Sequence, residues 1–271
     1  MERHMEHGKI TLEVNDGIGL LTLNDPGSLN AWGVKMRSDF TAAIDQVENA
    51  GSDLRCVVIT GAGRAFSSGA NLNDPDAPPR DRAAESRGEV LSSLEAWYNP
   101  MFLRLRELDT PLIAAVNGVA AGVGMSFALS CDLVVMAKSA YFLQAFARIG
   151  LVPDGGSTYI LPRLIGAKRA LELSLLADKL PAETAREWGL VNRVVEDGDL
   201  MPETMKLAER LGHGPRSLGM IRRMYWQSLE NDYPTQMALE ATMQTEAGMS
   251  SDHAEGIAAF REKRATKFTG S

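Results

Sequence analysis

Three stretches of the sequence combine residue types and spacings that could do chemistry. The first carries a carboxylate, in Phe146-Ala-Arg-Ile-Gly150-Leu-Val-Pro153-Asp154-Gly155-Gly156. An aspartate on a turn just ahead of a helix is placed to take a proton and return it. Pro-Asp-Gly-Gly is equally an ordinary turn sequence, in which the aspartate bonds its own backbone. The second stretch runs from Pro111 through Asn117-Gly118 to Gly122-Val123-Gly124 and reads as a strand, a turn and a helix start rich in small residues. Helix starts present unpaired N–H groups and a positive dipole end. Glycine on each side of Val123 would let a carbonyl approach the backbone, and converging N–H donors suit an enolate oxygen. Close helix–strand packing is the competing reason for such residues. The third stretch, Gly61 to Leu72, is a glycine-rich loop that could aim N–H groups at a ligand or simply turn at the surface. A dinucleotide fingerprint would need its third glycine where Phe66 stands.

The elements that must position these loops follow from hydrophobic periodicity. Alternation marks strands at Ile10–Val14 and Ile18–Leu23, joined at Asn15-Asp16-Gly17. Met36, Phe40, Ile44 and Val47 have helical spacing within Gly33–Val47. Leu54–Thr60 is a near-continuous apolar run, the pattern of a buried strand. Strands are also expected at Pro111–Val116, Asp132–Ala137 and Tyr141–Gln144, with a helix at Gly124–Leu129. Such alternation implies an α/β fold with helices packed on layered sheets. Asn73–Arg87 reads as a loop leading into a helix over Gly88–Leu108. Beyond Leu200 only helices are expected, over Met201–Leu211, Pro215–Leu229, Pro234–Met249 and Asp252–Lys263. Their apolar residues are too many for one thin stripe, so they need the core or a partner chain to cover them.

Composition narrows the function. The 271 residues suit one large domain, or a main domain with an appendage. Cys56 and Cys131 sit in apolar stretches without paired spacing, as expected of reduced thiols in the cytoplasm. Met1–Lys9 is polar and reads as a frayed terminus rather than a signal peptide. No window reaches the ~18 consecutive apolar residues of a membrane span. The formal net charge of −7 argues against nucleic acid as a partner. His213 and His253 lack metal-ligand spacing, and no metal is expected. A small-molecule ligand is the first hypothesis.

Taken in order, the three stretches resemble the crotonase (enoyl-CoA hydratase/isomerase) superfamily. The resemblance runs from about Gly8 to the C-terminus. It includes Asn30-Ala31, Ser68 to Leu72, Asn117 to Gly124, Cys131-Asp132, Phe142, Gly150, Pro153, Ala185, Trp188 to Asn192, Phe260 and Lys263-Arg264. It implies an α/β fold of the crotonase type: a spiral of ββα units over residues 1–200, then a helical trimerisation region over 201–271. The expected assembly is a homotrimer or homohexamer. The implied substrate is an acyl-CoA thioester, with coenzyme A as part of the substrate and no other cofactor. Its carbonyl would be held by the N–H groups of Ala70 and Val123. Ser67, Ser68, Gly69, Asn71, Leu72, Gly122 and Gly124 would surround that carbonyl. Tyr98, Phe146 and Phe102 are candidates for an acyl pocket, with plain core packing as the alternative for Phe102. Lys263 would meet a CoA phosphate, unless it merely belongs to a solvated helix face.

The departures from the family are informative. Hydratases of the family carry two glutamates that activate water. Those slots are Ser126 and Phe146 here, and neither offers a carboxylate. Asp154 stands where some isomerases of the family have their acid/base. Tyr98-Asn99-Pro100, Ala145-Phe146 and Lys267 to Gly270 are similar to isomerases that act on ring-epoxide aryl-acyl-CoA in bacterial aromatic catabolism. The resemblance therefore implies proton transfer by Asp154, shifting a double bond or opening a ring epoxide. Rival readings are a hydratase, a hydrolase or dehalogenase using Asp154 as nucleophile, and a non-catalytic CoA-binding scaffold. Asn71 replaces an aspartate common in the family, which bears on how its loop is anchored.

Overall fold

The computed structural model describes residues 3–79 and 81–271. Strand β1 (Arg3–Glu6) runs antiparallel to β2 (Ile10–Asn15), which turns into β3 (Ile18–Leu23). Asp16 and Gly17 both have positive φ, as a two-residue hairpin turn requires. The terminal stretch expected to fray thus supplies an edge strand, while Met1 and Glu2 lie outside the described residues. Its pairing is by backbone hydrogen bonds, which apolar alternation does not reveal.

Helix α1 (Val34–Asn49) buries Met36, Phe40, Ala43, Ile44 and Val47, one face of a 3.6-residue period. Next come β4 (Cys56–Gly61), buried at every position, and β5 (Ala65–Ser67). The expected Gly88–Leu108 helix is shorter and irregular. A separate turn, α2 (Arg82–Ser86), is capped by Asp81, and a wide π turn over Leu94–Tyr98 leads into α3 (Asn99–Glu107). Pro100 has no N–H to return to the preceding turn, and a π turn tolerates that gap.

Then follow β6 (Leu112–Val116), β7 (Val119–Ala121), α4 (Val123–Leu129), β8 (Leu133–Ala137) and β9 (Tyr141–Leu143). They are succeeded by α5 (Ser157–Leu176), β10 (Lys179–Pro181), α6 (Ala182–Trp188) and β11 (Arg193–Val195). The large sheet has the order β1-β2-β3-β4-β6-β8-β11, and the small one β10-β9-β7-β5. Each turn of the spiral gives one strand to each sheet and then a helix: β6-β7-α4, then β8-β9-α5. This is the expected spiral of ββα units.

The chain ends in four helices, α7 (Leu200–Gly212), α8 (Ser217–Ser228), α9 (Tyr233–Gly248) and α10 (Ser251–Glu262). Helix α7 lies against β3, β4, β6 and β8, whereas α9 buries none of its residues. No helix among the described residues is long and apolar enough to cross a membrane.

One buried ion pair locks α8 to the core. Arg222 Nε donates to Asp132 Oδ2 at 2.7 Å, and the same guanidinium donates to the carbonyls of Leu105, Arg106 and Leu108 at the end of α3. Asp132 also accepts from the Leu112 N–H and from Trp226 Nε1. Removing one partner of such a pair strands a charge in the interior, at a cost of ~3–5 kcal/mol. Asp132→Ala should lose stability on that scale in urea unfolding at fixed protein concentration. Glu196→Ala, which breaks an exposed pair with Lys138, should cost less than ~1 kcal/mol.

Candidate active site

The small sheet positions the site. Strands β5, β7 and β9 are three residues each and run parallel, so the chain leaves all three at the same end. The carboxyl ends of parallel strands are where open α/β sheets gather ligand-binding loops. After β5 comes Ser68-Gly69-Ala70-Asn71, after β7 comes Gly122-Val123, and after β9 comes the 3-10 turn Ala145–Ile149 with Phe146. Two asparagines fix the entry to β5. Asn30 Nδ2 donates to the carbonyls of Ala62 and Ala65, and Asn117 Nδ2 donates to Gly63 and Ala65.

Trp32 joins the edge of this sheet as a single parallel bridge to Ala70. Its N–H donates to Gly69 O (2.8 Å) and its carbonyl accepts from the Asn71 N–H (3.3 Å). A parallel ladder skips the residue between those two, so the Ala70 N–H is not used by it. Val123 is the first residue of α4, so its N–H has no acceptor within the helix. Among the described residues neither N–H finds a protein acceptor. The two turns touch: a Cβ on Gly69 would come within 2.8 Å of Ala121 O.

Two glycines shape the second turn. Gly122 has φ +51 and ψ −128, a conformation hostile to a side chain, and a Cβ there would meet the Phe146 ring at 3.7 Å. Gly124 packs α4 onto β5 so closely that a Cβ would lie 2.7 Å from Ser67 O. Close packing and unpaired donors are therefore products of the same sequence rather than alternatives.

Asp154 sits between β9 and α5, half-buried, with no hydrogen-bond partner for Oδ1 among the described residues. Burial pushes its carboxyl up to about 6. Its backbone carbonyl accepts from Ser157 Oγ at 2.7 Å, the Ser157 N–H at 3.1 Å and Ser126 Oγ at 3.2 Å. An aromatic cluster lies alongside. Phe127 stacks on Trp32 at 4.0 Å and tilts against Phe102 at 4.5 Å, while Phe102 would lie 2.8 Å from a Cβ on Gly155.

Most of the expected site residues gather here. Ser67 is fully buried and its Oγ donates to Asn30 O (2.8 Å); Ser68 Oγ donates to Ser28 O. Asn71 Oδ1 accepts from the Asn73 N–H, so the amide anchors its own turn where an aspartate was expected, and Leu72 is exposed. Tyr98 is buried, but its hydroxyl is committed: it donates to Trp32 O at 3.2 Å and so braces the Trp32–Ala70 bridge. Burial, opposed by Arg37, raises its phenol, and the Asp154 charge raises it further. Lys263 is the left-handed C-cap of α10. Ser126, Ser157 and Trp32 are contacts that motif reading passed over. The Gly155-Gly156 pair was the available signal, because a turn without Cβ atoms admits close neighbours.

The raised carboxyl predicts a pH-dependent stability. Between the ordinary carboxylate value and about 6 the folded state holds the Asp154 proton while the unfolded chain releases it. Stability from this group is complete below that window and is lost as pH rises through it. Asp154→Asn removes the penalty, so its melting temperature should exceed that of the unmodified protein at pH 8 and match it at pH 4. Equal differences at both pH values would contradict the placement.

Comparison with known proteins identifies the family. The enoyl-CoA hydratase/isomerase family profile matches residues 13–271. The 1,2-epoxyphenylacetyl-CoA isomerase of Escherichia coli K12 is 42% identical over 96% of this chain and 98% of its own. A Rhodobacter capsulatus protein named "Probable enoyl-CoA hydratase" is 39% identical over 98% of this chain and 100% of its own. An enoyl-CoA hydratase structure from Bacillus anthracis superposes with a TM-score of 0.87 at 26% identity, covering 97% of this chain and 100% of that one. The chain belongs to the enoyl-CoA hydratase/isomerase family of the crotonase superfamily.

Proposed function

We propose that the chain is an acyl-CoA isomerase that stabilises an enolate and moves a proton with Asp154, shifting a double bond or opening a ring epoxide. The observation that carries this reading is the half-buried Asp154 carboxylate, its Oδ1 unpartnered, on a turn that Ser126 ties to α4, the helix whose first N–H, that of Val123, is unpaired. The thioester carbonyl would accept from the Ala70 and Val123 N–H groups. As the α-proton leaves, charge grows on that oxygen, and donors already in place meet it without reorganising. Asp154 takes the proton and returns it elsewhere on the conjugated system. A base titrating at about 6 is ionised at neutral pH yet basic enough for the task. The step is redox-neutral and needs no cofactor beyond the coenzyme A of the substrate.

Isomerase is favoured over hydratase by what surrounds the base. Ser126 Oγ is engaged by the Asp154 carbonyl and Phe146 is a buried hydrocarbon. Neither can hold and deprotonate a water for addition to a double bond. The aromatic cluster from Trp32 to Phe102 and the similarity to an epoxyphenylacetyl-CoA isomerase support an aryl or conjugated acyl group.

Two tests follow. Asp154→Asn should lower kcat by ~10²–10⁴ on enoyl- or aryl-epoxide CoA thioesters while binding them as before. Near-normal turnover by this variant would return Asp154 to turn formation alone. Val123→Ala keeps the main chain and should stay active, whereas Gly122→Val, forced to φ +51, should lose orders of magnitude. Equal behaviour of these two variants would misplace the second donor.

A homotrimer or homohexamer belongs to the same proposal. Helix α9 buries nothing within the chain, and Tyr225, Tyr233, Met237, Met249 and Phe260 stand exposed on or beside it. Apolar surface of that extent is ordinarily covered by another subunit. Light scattering at low micromolar concentration should give three or six times the 29.4 kDa chain mass; a monomer alone would overturn it.

A further inference from the structure

We infer that Ser126 is the positioning residue of the site: it holds the Asp154 turn against α4, with Gly155 as the contact that makes the fit possible. The inference rests on Asp154 being the base. Ser126 is buried in α4, and its Oγ donates to Asp154 O at 3.2 Å. The same carbonyl is held from the other side by Ser157, through Oγ at 2.7 Å and N–H at 3.1 Å. Two helices therefore clamp one peptide oxygen, and the carboxylate next to it is aimed by its own backbone.

The steric fit argues the same way. Gly155 has φ +59, and a Cβ there would come within 2.7 Å of Ser126 Cβ and 2.8 Å of the Phe102 ring. A longer side chain at 126 or any side chain at 155 would push the turn outward. Serine is thus small enough to let the turn in and polar enough to bind it.

The clamp has an electrostatic consequence. Asp154 owes its raised carboxyl to burial, and burial lasts only while the turn is seated. The groups packed on its turn are Ser126 on α4, Phe102 on α3 and Ser157 on α5, none of them titratable. Tyr98, on the π turn, senses the Asp154 charge, with Arg37 and Asp74 acting on that phenol in turn. A loosened turn admits water, and the carboxyl then drifts back toward its ordinary value.

The experiment compares Ser126→Ala and Gly155→Ala with the unmodified enzyme on an enoyl-CoA panel, recording kcat, KM, the pH profile of kcat and a melting curve. With folding retained, both variants should lose about threefold to tenfold in kcat. KM should hold, and the acid limb of the profile should move below pH 6. Unaltered kcat and acid limb in Ser126→Ala would overturn the inference, as would a loss confined to KM. Should Ser126→Ala fail to fold, Gly155→Ala decides by the same criteria. Asp154→Asn run alongside separates the two ideas. An active Asp154→Asn refutes the base, whereas an inactive one beside a normal Ser126→Ala refutes only the clamp.

Discussion

Parallel pairing among very short strands is the constraint on which the site depends. Strands β5, β7 and β9 are each three residues long and share one direction. Every turn of the spiral must therefore release its loop at the same edge, within reach of the others. Parallel geometry also decides which N–H groups stay unused. The Trp32 bridge takes Gly69 O and the Asn71 N–H, which leaves Ala70 over. The start of α4 leaves Val123 over for a separate reason, since a helix cannot satisfy its own first donors. Unpaired donors in neighbouring turns are thus a by-product of regular structure, with no side chain needed to make them.

Supporting residues are spent on keeping that backbone in place. Asn30 and Asn117 tie the loop ahead of β5, Tyr98 braces Trp32, and Gly124 admits β5 against α4. On the far side, Arg222 ties α8 to the last carbonyls of α3, the helix that carries Phe102. Against this rigid frame Asp154 is the costly element. Its carboxyl is half-buried without a partner for Oδ1, an arrangement that lowers stability at neutral pH and raises basicity. Local frustration of that kind is what a functional site tends to retain.

Much of this was legible in the residues. The apolar run ending at Thr60, the small-residue turn at Gly122 to Gly124 and the Pro153-Asp154-Gly155 turn stand where the sequence puts them. Other parts were hidden for physical reasons. Strands of three residues carry little periodicity: β9 is legible in Tyr141–Gln144, whereas β5, β7, β10 and β11 left no trace. Edge strand β1 is held by main-chain bonds that polar side chains disguise. Ser126 looked like a missing glutamate, and its bond to a peptide oxygen 28 residues away could emerge only from the fold. Lys263 is the left-handed C-cap of α10, a position that its charge alone does not reveal.

The central claim is that Asp154 exchanges a proton with carbon beside a thioester held by two backbone N–H groups. Isotope exchange reads this directly. An enoyl-CoA incubated in D2O should be recovered with deuterium at the α or γ carbon when the unmodified protein is present. Asp154→Asn, binding the same thioester, should introduce none. Deuterium incorporated equally by both proteins would contradict the account.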